Sequence, residues 1–115
     1  MLSKENRLKK KKDFEEVYRK GKGFREDFLF LKIKKNELKV SRIGFVVSKK
    51  ISRKAVQRNK IKRRLREIMK FYLSKIEPGF DIVFLTKPGI GEKDFQEIKE
   101  MMQKIFKKAK IFKLQ

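Results

Sequence analysis

Apolar residues recur at helical spacing near the start of the chain. Phe14, Val17 and Tyr18 stand at positions i, i+3 and i+4, which predicts one amphipathic face of a first helix. This helix is expected to start around residues 11–13 and to stop at Gly21. A second stretch, 28–34, is dense in apolar and aromatic residues and predicts a strand instead.

Two more strands are predicted further along. Asn36 marks a turn, and 42–48 form a second strand whose nearly continuous apolar run indicates burial on both faces. A third strand is expected over 80–85. In the first strand the parity of positions defines two faces without saying which one is core: one carries Phe28 and Phe30, the other Leu29, Leu31 and Ile33.

The strongest helical pattern runs from about Val56 to Leu73 and ends before a Glu-Pro-Gly stop signal at 77–79. Its apolar positions follow a helical period: Ile61, Leu65, Ile68, Met69 and Tyr72. A last helix is predicted over about 93–108, with a stripe of Phe95, Ile98, Met102, Ile105 and Phe106 bordered by Met101.

The order α-β-β-α-β-α, with room for one further strand, predicts an α+β fold, a small sandwich of helices over a sheet. The 115 residues show no internal repeat and no linker rich in Pro, Gly or Ser. We therefore expect residues 1–115 to form a single domain.

The large excess of basic residues indicates what kind of partner the protein binds. The chain carries 35 Lys plus Arg against 14 Asp plus Glu, a formal net charge of +21. Such self-repulsion destabilises a compact domain and indicates a polyanionic partner. The excess is concentrated at Lys4, Arg7 and 9–12, and in a block over 49–66 that contains ten bases and no acid. A merely solvated face would interleave signs, so the block predicts nucleic-acid binding.

On the basic helix these charges fall into two rows. Arg58, Lys62 and Arg66 run beside the apolar stripe. An outward row consists of Asn59, Arg63 and Lys70. Two surfaces allow two separate polyanion contacts, and arginine favours bidentate contact with phosphate. The candidate nucleic-acid-binding residues are Lys49, Lys50, Arg53, Arg58, Asn59, Lys60, Lys62, Arg63 and Arg66.

Aromatic residues supply the second element of a single-strand site. Phe14 and Tyr18 lie one helical turn apart, and stacked aromatics in a basic groove are usual for unpaired nucleic acid. Both residues also fit as plain core contacts of the first helix. The pattern leaves these alternatives open.

Several kinds of site are excluded or unsupported. The absence of His and Cys removes Ser-His-Asp and Cys-His catalysis, His metal sites and disulfides. The glycine pairs at 21–23 and 89–91 lack the remaining residues of nucleotide-binding loops. No apolar run is long enough for a membrane span, and none follows the basic amino terminus, so we expect no signal peptide. No catalytic site borne by the protein is evident.

One segment carries a resemblance. Arg58-Asn59-Lys60-Ile61-Lys62-Arg63-Arg64-Leu65-Arg66-Glu67, preceded by Val47-Ser48-Lys49-Lys50, resembles the signature of the protein subunit of bacterial ribonuclease P. The similarity continues through Arg7-Leu8, Asp13-Phe14, Val17-Tyr18, Gly21 and Gly79-Phe80-Asp81-Ile82-Val83. It covers nearly the whole chain. Arg53-Lys54 stand where the family pattern suggests glycine or asparagine, so the geometry of the loop over 51–57 stays open.

The resemblance implies a fold similar to the second domain of ribosomal protein S5, with a left-handed β-α-β crossover through the basic helix. It implies a cytoplasmic endoribonuclease subunit whose partners are the ribonuclease P RNA and precursor tRNA, with no membrane and no small-molecule substrate. Catalysis of 5′ leader removal would belong to the RNA and to Mg²⁺ held mainly by RNA, with no cofactor on the protein itself. The implied leader-binding cleft is formed by Phe14, Tyr18, Lys62 and Arg66.

Two other classes remain as alternatives. Charge and fold alone also suit a ribosomal or architectural nucleic-acid-binding protein with no processing role. A cationic protein of membrane surfaces is disfavoured because the basic helix needs its apolar face for the core.

Overall fold

Three α-helices pack against a four-stranded sheet within residues 2–113, the part of the chain that the computed structural model describes. In chain order the elements are α1 (Lys11–Lys20), β1 (Lys22–Glu26), β2 (Leu29–Lys35), β3 (Arg42–Val46), α2 (Ala55–Tyr72), β4 (Phe80–Thr86) and α3 (Phe95–Ala109). Short 3₁₀ turns occupy Lys4–Asn6, Leu73–Lys75 and Ile90–Glu92. The predicted α+β class is confirmed, and the further strand is β1.

Strand β1 was not placed by the apolar pattern. It is an edge strand whose side chains are mostly exposed, and it contains Gly23 and three charged residues. An edge strand needs no apolar alternation, because its stability comes from pairing with its neighbour. Here β1 pairs antiparallel with β2 across a turn at Asp27 and Phe28.

The sheet order is β1-β2-β4-β3. Strands β2 and β4 are antiparallel, whereas β3 and β4 are parallel. Helix α2 connects the two parallel strands, so β3-α2-β4 is the β-α-β unit that the resemblance implies. The left hand of that crossover stays a prediction.

The main core lies between one face of the sheet and helices α2 and α3. Leu29, Leu31 and Ile33 of β2 point into it, so the face that carries these three residues is the core face of the strand. Phe84 of β4 lies at its centre, with its ring stacked on Phe45 at a centroid distance of 5.5 Å. Most of the buried apolar surface of the protein is on this side.

The prediction that Phe28 belongs to the strand and shares a face with Phe30 is wrong. Strand β2 begins at Leu29, and Phe28 lies in the turn that precedes it. The positive φ of Asp27, 46°, turns the chain there. As a result, the Phe28 ring packs against the main core rather than on the opposite face.

A smaller apolar cluster fills the opposite face of the sheet, beneath α1. Leu8, Val17 and Val83 are buried there, and Phe14 packs against them half-buried. Helix α1 is short and covers only part of this face. At the edge of the sheet next to β3, Phe14 lines a groove together with Lys62 and Arg66 of α2, as described below.

Helix α3 begins with a capping box. Asp94 accepts a hydrogen bond from the backbone N–H of Glu97, and the Glu97 side chain accepts one from the Asp94 N–H. Phe95, predicted within the apolar stripe, is 44% exposed, so that part of the prediction is wrong. It is the first residue of the helix and precedes the buried positions, which begin at Ile98.

An ion network ties α1 to the sheet. The Arg42 guanidinium donates two hydrogen bonds to the nearly buried Asp81 carboxylate, at 2.8 and 2.6 Å, and a third to Asp13 of α1 at 3.2 Å. Asn36 donates to the same Asp81 carboxylate at 2.9 Å. Hydrogen bonding to Asp81 raises the pKa of Arg42 above its ordinary value, so the guanidinium stays charged throughout the usual pH range.

We expect Asp81→Ala to lower the free energy of unfolding by about 2 kcal/mol, because it leaves Arg42 without its bidentate partner in a half-buried position. Urea denaturation measures the effect. Glu15→Ala, which removes only an exposed pairing with Lys11, is the matched control and should change stability by less than about 0.5 kcal/mol. Equal effects of the two substitutions would contradict a structural role for the network.

Candidate nucleic-acid interface

Helix α2 buries one stripe and presents bases on its remaining sides. Leu65, Ile68, Met69 and Tyr72 are buried against the sheet and α3. In the first predicted row Arg58, Lys62 and Arg66 are half-buried beside that stripe. The predicted outward row, Asn59, Arg63 and Lys70, is exposed. The structure thus contains both predicted rows.

The amino-terminal end of α2 is electrostatically unfavourable. Its first turn contains no acid, and Lys54 at the N-cap position provides no side-chain hydrogen bond. The positive end of the helix dipole therefore lies among lysines and arginines. Anions stabilise such an end, so this part of the protein is suited to phosphate.

The loop before α2 is held by the helix itself. The Arg58 guanidinium donates to the backbone carbonyls of Ser52 and Arg53, at 2.9 Å in both cases. These bonds present Lys49, Lys50 and Arg53 around an open surface hollow. Arg58 therefore organises the loop geometry that the sequence left open, in addition to carrying charge.

A groove at the β3 edge of the sheet brings α1 and α2 together. Its lining, here called the β3-edge groove, consists of Leu2, Arg7–Lys9, Phe14, Ile43–Phe45, Lys62 and Arg66, around a volume of about 300 Å³. Three of the four predicted cleft residues, Phe14, Lys62 and Arg66, thus meet in one groove. Tyr18 does not line it, but its ring centroid lies 6.5 Å from that of Phe14.

The two aromatic residues of α1 differ in their surroundings. Phe14 packs on Gly44, where a Cβ would come within 2.6 Å of the Phe14 Cε1 atom, so the ring needs a glycine beneath it. Tyr18 is 38% exposed, and partial burial raises the pKa of its phenol. Phe14 therefore fits both alternatives, as a core contact and as a groove wall. Tyr18 extends the aromatic surface outward as a neutral hydrogen-bonding group.

The amino-terminal segment contributes residues that the site prediction missed. Arg7 forms a parallel bridge with Ile43, and the Leu8 N–H donates to the Ile43 carbonyl at 2.9 Å. This pairing places Arg7 and Lys9 in the lining of the β3-edge groove. The basic cluster at the start of the chain was the available signal, but its pairing with β3 could not be read from the pattern.

The described residues do not suit a resident metal ion. Among residues 2–113 no three His, Cys, Asp or Glu side chains gather closely enough to hold one. Within the same residues no helix combines the length and apolar character needed to cross a bilayer. The β3-edge groove itself presents guanidinium, ammonium and aromatic groups, from Arg7, Lys62 and Phe14 among others.

Comparison with known proteins agrees with this arrangement. The sequence model of the family Ribonuclease P matches residues 2–110. The ribonuclease P protein component of Clostridium botulinum (strain 657 / Type Ba4) is 38% identical over 110 residues, 95% of this chain and 98% of the relative. The solved RNase P protein of Staphylococcus aureus superposes with a TM-score of 0.84 at 33% identity, over 94% of this chain and 98% of that one. The RNase P protein of Thermotoga maritima superposes with a TM-score of 0.80 at 33% identity, over 89% of this chain and 96% of that one.

A basic α+β fold with a groove of aromatic and cationic side chains defines a nucleic-acid-binding protein. More particularly, the chain belongs to the ribonuclease P protein family, the protein components of an endoribonuclease that processes the 5′ ends of tRNA precursors. The resemblance carried by Arg58–Glu67 and its flanks is confirmed.

We expect Gly44→Ala to destabilise the fold by about 1–3 kcal/mol, because the added methyl group overlaps the Phe14 ring. Thermal and urea unfolding measure the loss. The double variant Gly44→Ala with Phe14→Leu should recover part of it, since the smaller side chain leaves room for the methyl. The single variant Phe14→Leu is measured as well. If the losses in the free energy of unfolding caused by Gly44→Ala and by Phe14→Leu simply added up in the double variant, the contact between the Phe14 ring and Gly44 would not be the cause.

Proposed function

We propose that this protein holds two RNAs at once in the ribonuclease P complex, the RNA subunit on the outward row of α2 and the 5′ leader of precursor tRNA in the β3-edge groove. The further RNA-binding positions are Lys49, Lys50, Arg53, Arg58 and Lys60. Residues 1–115 would act as one RNA-binding domain in the cytoplasm.

One observation supports the leader site above all others. Phe14, from α1, lines the β3-edge groove together with Lys62 and Arg66, from α2. Single-stranded RNA binds by stacking its bases on aromatic rings while cations follow its backbone. Tyr18, one turn further along α1, would add a second aromatic contact for the next base.

The outward row suits a different partner. Asn59 and Arg63 project away from the sheet, so an RNA bound there does not compete with one in the groove. Arginine matches phosphate geometry with its planar fork, and asparagine can hydrogen-bond a base or a 2′-hydroxyl. Binding of the two RNAs on separate faces of one helix would neutralise their mutual repulsion.

The hydrolytic chemistry is assigned to the RNA subunit and to Mg²⁺ held by RNA, which supplies the activated nucleophile and stabilises developing charge. This chain contributes binding and neutralisation, and no step of bond cleavage passes through its side chains. The lack of His and the sparsity of acids in the groove fit that division.

The proposal is tested by reconstitution with a bacterial ribonuclease P RNA and a precursor tRNA at low Mg²⁺. We expect the protein to increase the rate of leader removal over RNA alone. No increase would contradict the proposal. Equal affinity of the complex for precursor and mature tRNA would instead favour a general architectural RNA-binding protein.

A second prediction separates the two surfaces. Arg63→Ala should weaken binding of the RNA subunit about five- to tenfold, and Lys62→Ala or Arg66→Ala should weaken binding of precursor tRNA by a similar factor. Each loss reflects one phosphate contact. The slope of the logarithm of the binding constant against the logarithm of the salt concentration should therefore become shallower by about one unit.

Filter binding of each RNA to each variant measures these effects. Lys107→Ala, on the exposed side of α3, removes the same charge away from both surfaces and serves as the control. If all three variants reduced the same one of the two affinities and left the other unchanged, a single RNA surface would replace the two-surface arrangement.

A further inference from the structure

A third basic surface of α2 borders a pocket that the two sites above do not use. The pocket lies between the amino-terminal half of α2 and the turn over Ile90–Glu92, and it measures about 380 Å³. It is lined by Ile51, Ser52, Gln57, Lys60, Ile61, Arg64, Gly89, Gly91 and Glu92. At about 100° per residue, Lys60 and Arg64 lie on the flank of the helix away from Lys62 and Arg66. The pocket is therefore separate from the β3-edge groove.

The wall formed by the loop before α2 is held in place by hydrogen bonds. The Ser52 hydroxyl donates to the Gln57 side-chain carbonyl at 2.5 Å and accepts from the Lys54 N–H at 3.2 Å. Arg58 donates to the backbone of the same loop from behind. This wall needs no rearrangement to present its polar groups, as is usual for binding pockets.

The opposite wall is equally well anchored. Ile90 is fully buried in the main core, and the Arg64 guanidinium donates to the Lys93 carbonyl at 2.9 Å, which ties the turn to α2. Gly89 adopts φ +101°, a conformation that favours glycine, and its backbone packs on the Phe28 ring. The turn thus has a defined position relative to the helix.

Gly91, in the lining of the pocket, leaves space where a side chain would otherwise stand. A Cβ on Gly91 would meet only the Ile61 Cδ1 atom, at an ordinary 3.6 Å. The floor is apolar, formed by Ile51 and Ile61. A volume of about 380 Å³ lies near the lower end of the range of about 300–1,000 Å³ in which proteins hold small ligands. This suits one flat ring system with a polar attachment.

The polar groups indicate which ligand fits. Lys60 and Arg64 offer two cations for a phosphate, whereas Glu92 accepts only N–H or O–H donors and would weaken a site for phosphate alone. Gln57 adds an amide. Cations beside an acceptor and an apolar floor match a nucleotide, with its phosphate at the cations and its base on the isoleucines.

We propose that this pocket binds a single unpaired RNA nucleotide, with its phosphate on Lys60 and Arg64 and a donor edge of its base on Glu92. The inference rests on the proposed function in one respect, that an RNA is present to supply the nucleotide. Because the pocket lies across α2 from the β3-edge groove, we expect the RNA subunit rather than the leader as the source.

Filling the pocket tests this without changing charge. Gly91→Phe should weaken binding of the RNA subunit about tenfold, because it occupies the space for the base, and Gly91→Ala should weaken it less. Gln103→Phe, which adds the same ring on the exposed side of α3, is the matched control and should bind normally. Melting temperatures measured beside the affinities show whether each variant is folded. A folded Gly91→Phe variant that binds both RNAs normally would overturn the proposal.

Cross-linking provides a second measurement that does not depend on the effect of a bulky residue. The chain contains no cysteine, so Gly91→Cys offers a unique attachment point for a photoactivatable aryl azide. In the reconstituted complex we expect a cross-link to one unpaired nucleotide, and primer extension on each RNA shows whether it belongs to the RNA subunit or the precursor. Either location supports nucleotide binding.

Diffuse cross-links like those of a Gln103→Cys control, or cross-links to paired RNA only, would contradict nucleotide binding in the pocket. Leader removal is measured on the same preparations. If the wild-type protein stimulates leader removal and Gly91→Phe binds both RNAs normally, this inference is refuted and the proposed function is not. No stimulation by the wild-type protein would refute the proposed function itself.

Discussion

Helix α2 has to bury an apolar stripe in the core and also carry a dense positive charge, and the repulsion among these charges opposes the folding that the burial drives. Its buried stripe, centred on Leu65 and Ile68, packs in the core that it shares with the sheet and α3. The same 18 residues contain most of the acid-free basic block of a chain with a net charge of +21. Apolar burial on one side therefore holds together charges that repel one another on the other three sides.

Hydrogen bonds and ion pairs within the protein engage several of its arginines. Arg58 and Arg64 each donate to backbone carbonyls, of the loop before α2 and of the turn before α3, so two of the ten bases stabilise neighbouring segments. Across the sheet, Arg42 is neutralised by Asp81 and Asp13, which keeps α1 in place. Each guanidinium has five N–H donors, so Arg58 and Arg64 keep donors for a phosphate. The other cations of the block line grooves or face solvent, and this is the distribution expected of an RNA-binding surface.

Much of this could be predicted from the sequence because helical periodicity is a local property. The bounds of α1 and α2, the buried stripe and the two basic rows all follow from spacing along one segment. The convergence of Phe14 with Lys62 and Arg66 was predicted only through the family resemblance. What escaped prediction depends on pairing between distant segments: edge strand β1, the bridge from Arg7 to Ile43, and the pocket closed by the turn at Gly91. No single segment contains the signal for such features.

The rigidity of α2 also bears on how the protein would assist the RNA. Lys62 points about 100° away from Arg63 and about 160° away from Lys60 around one helix axis, and fully buried Leu65 fixes the rotation of that helix on the sheet. An RNA bound to one side therefore sets the orientation of the other sides without any conformational change. Binding of the RNA subunit on the outward row would thus place the β3-edge groove at a definite position for the leader. In this way the protein would raise the rate of cleavage through positioning, because positioning alone lowers the entropic barrier to reaction.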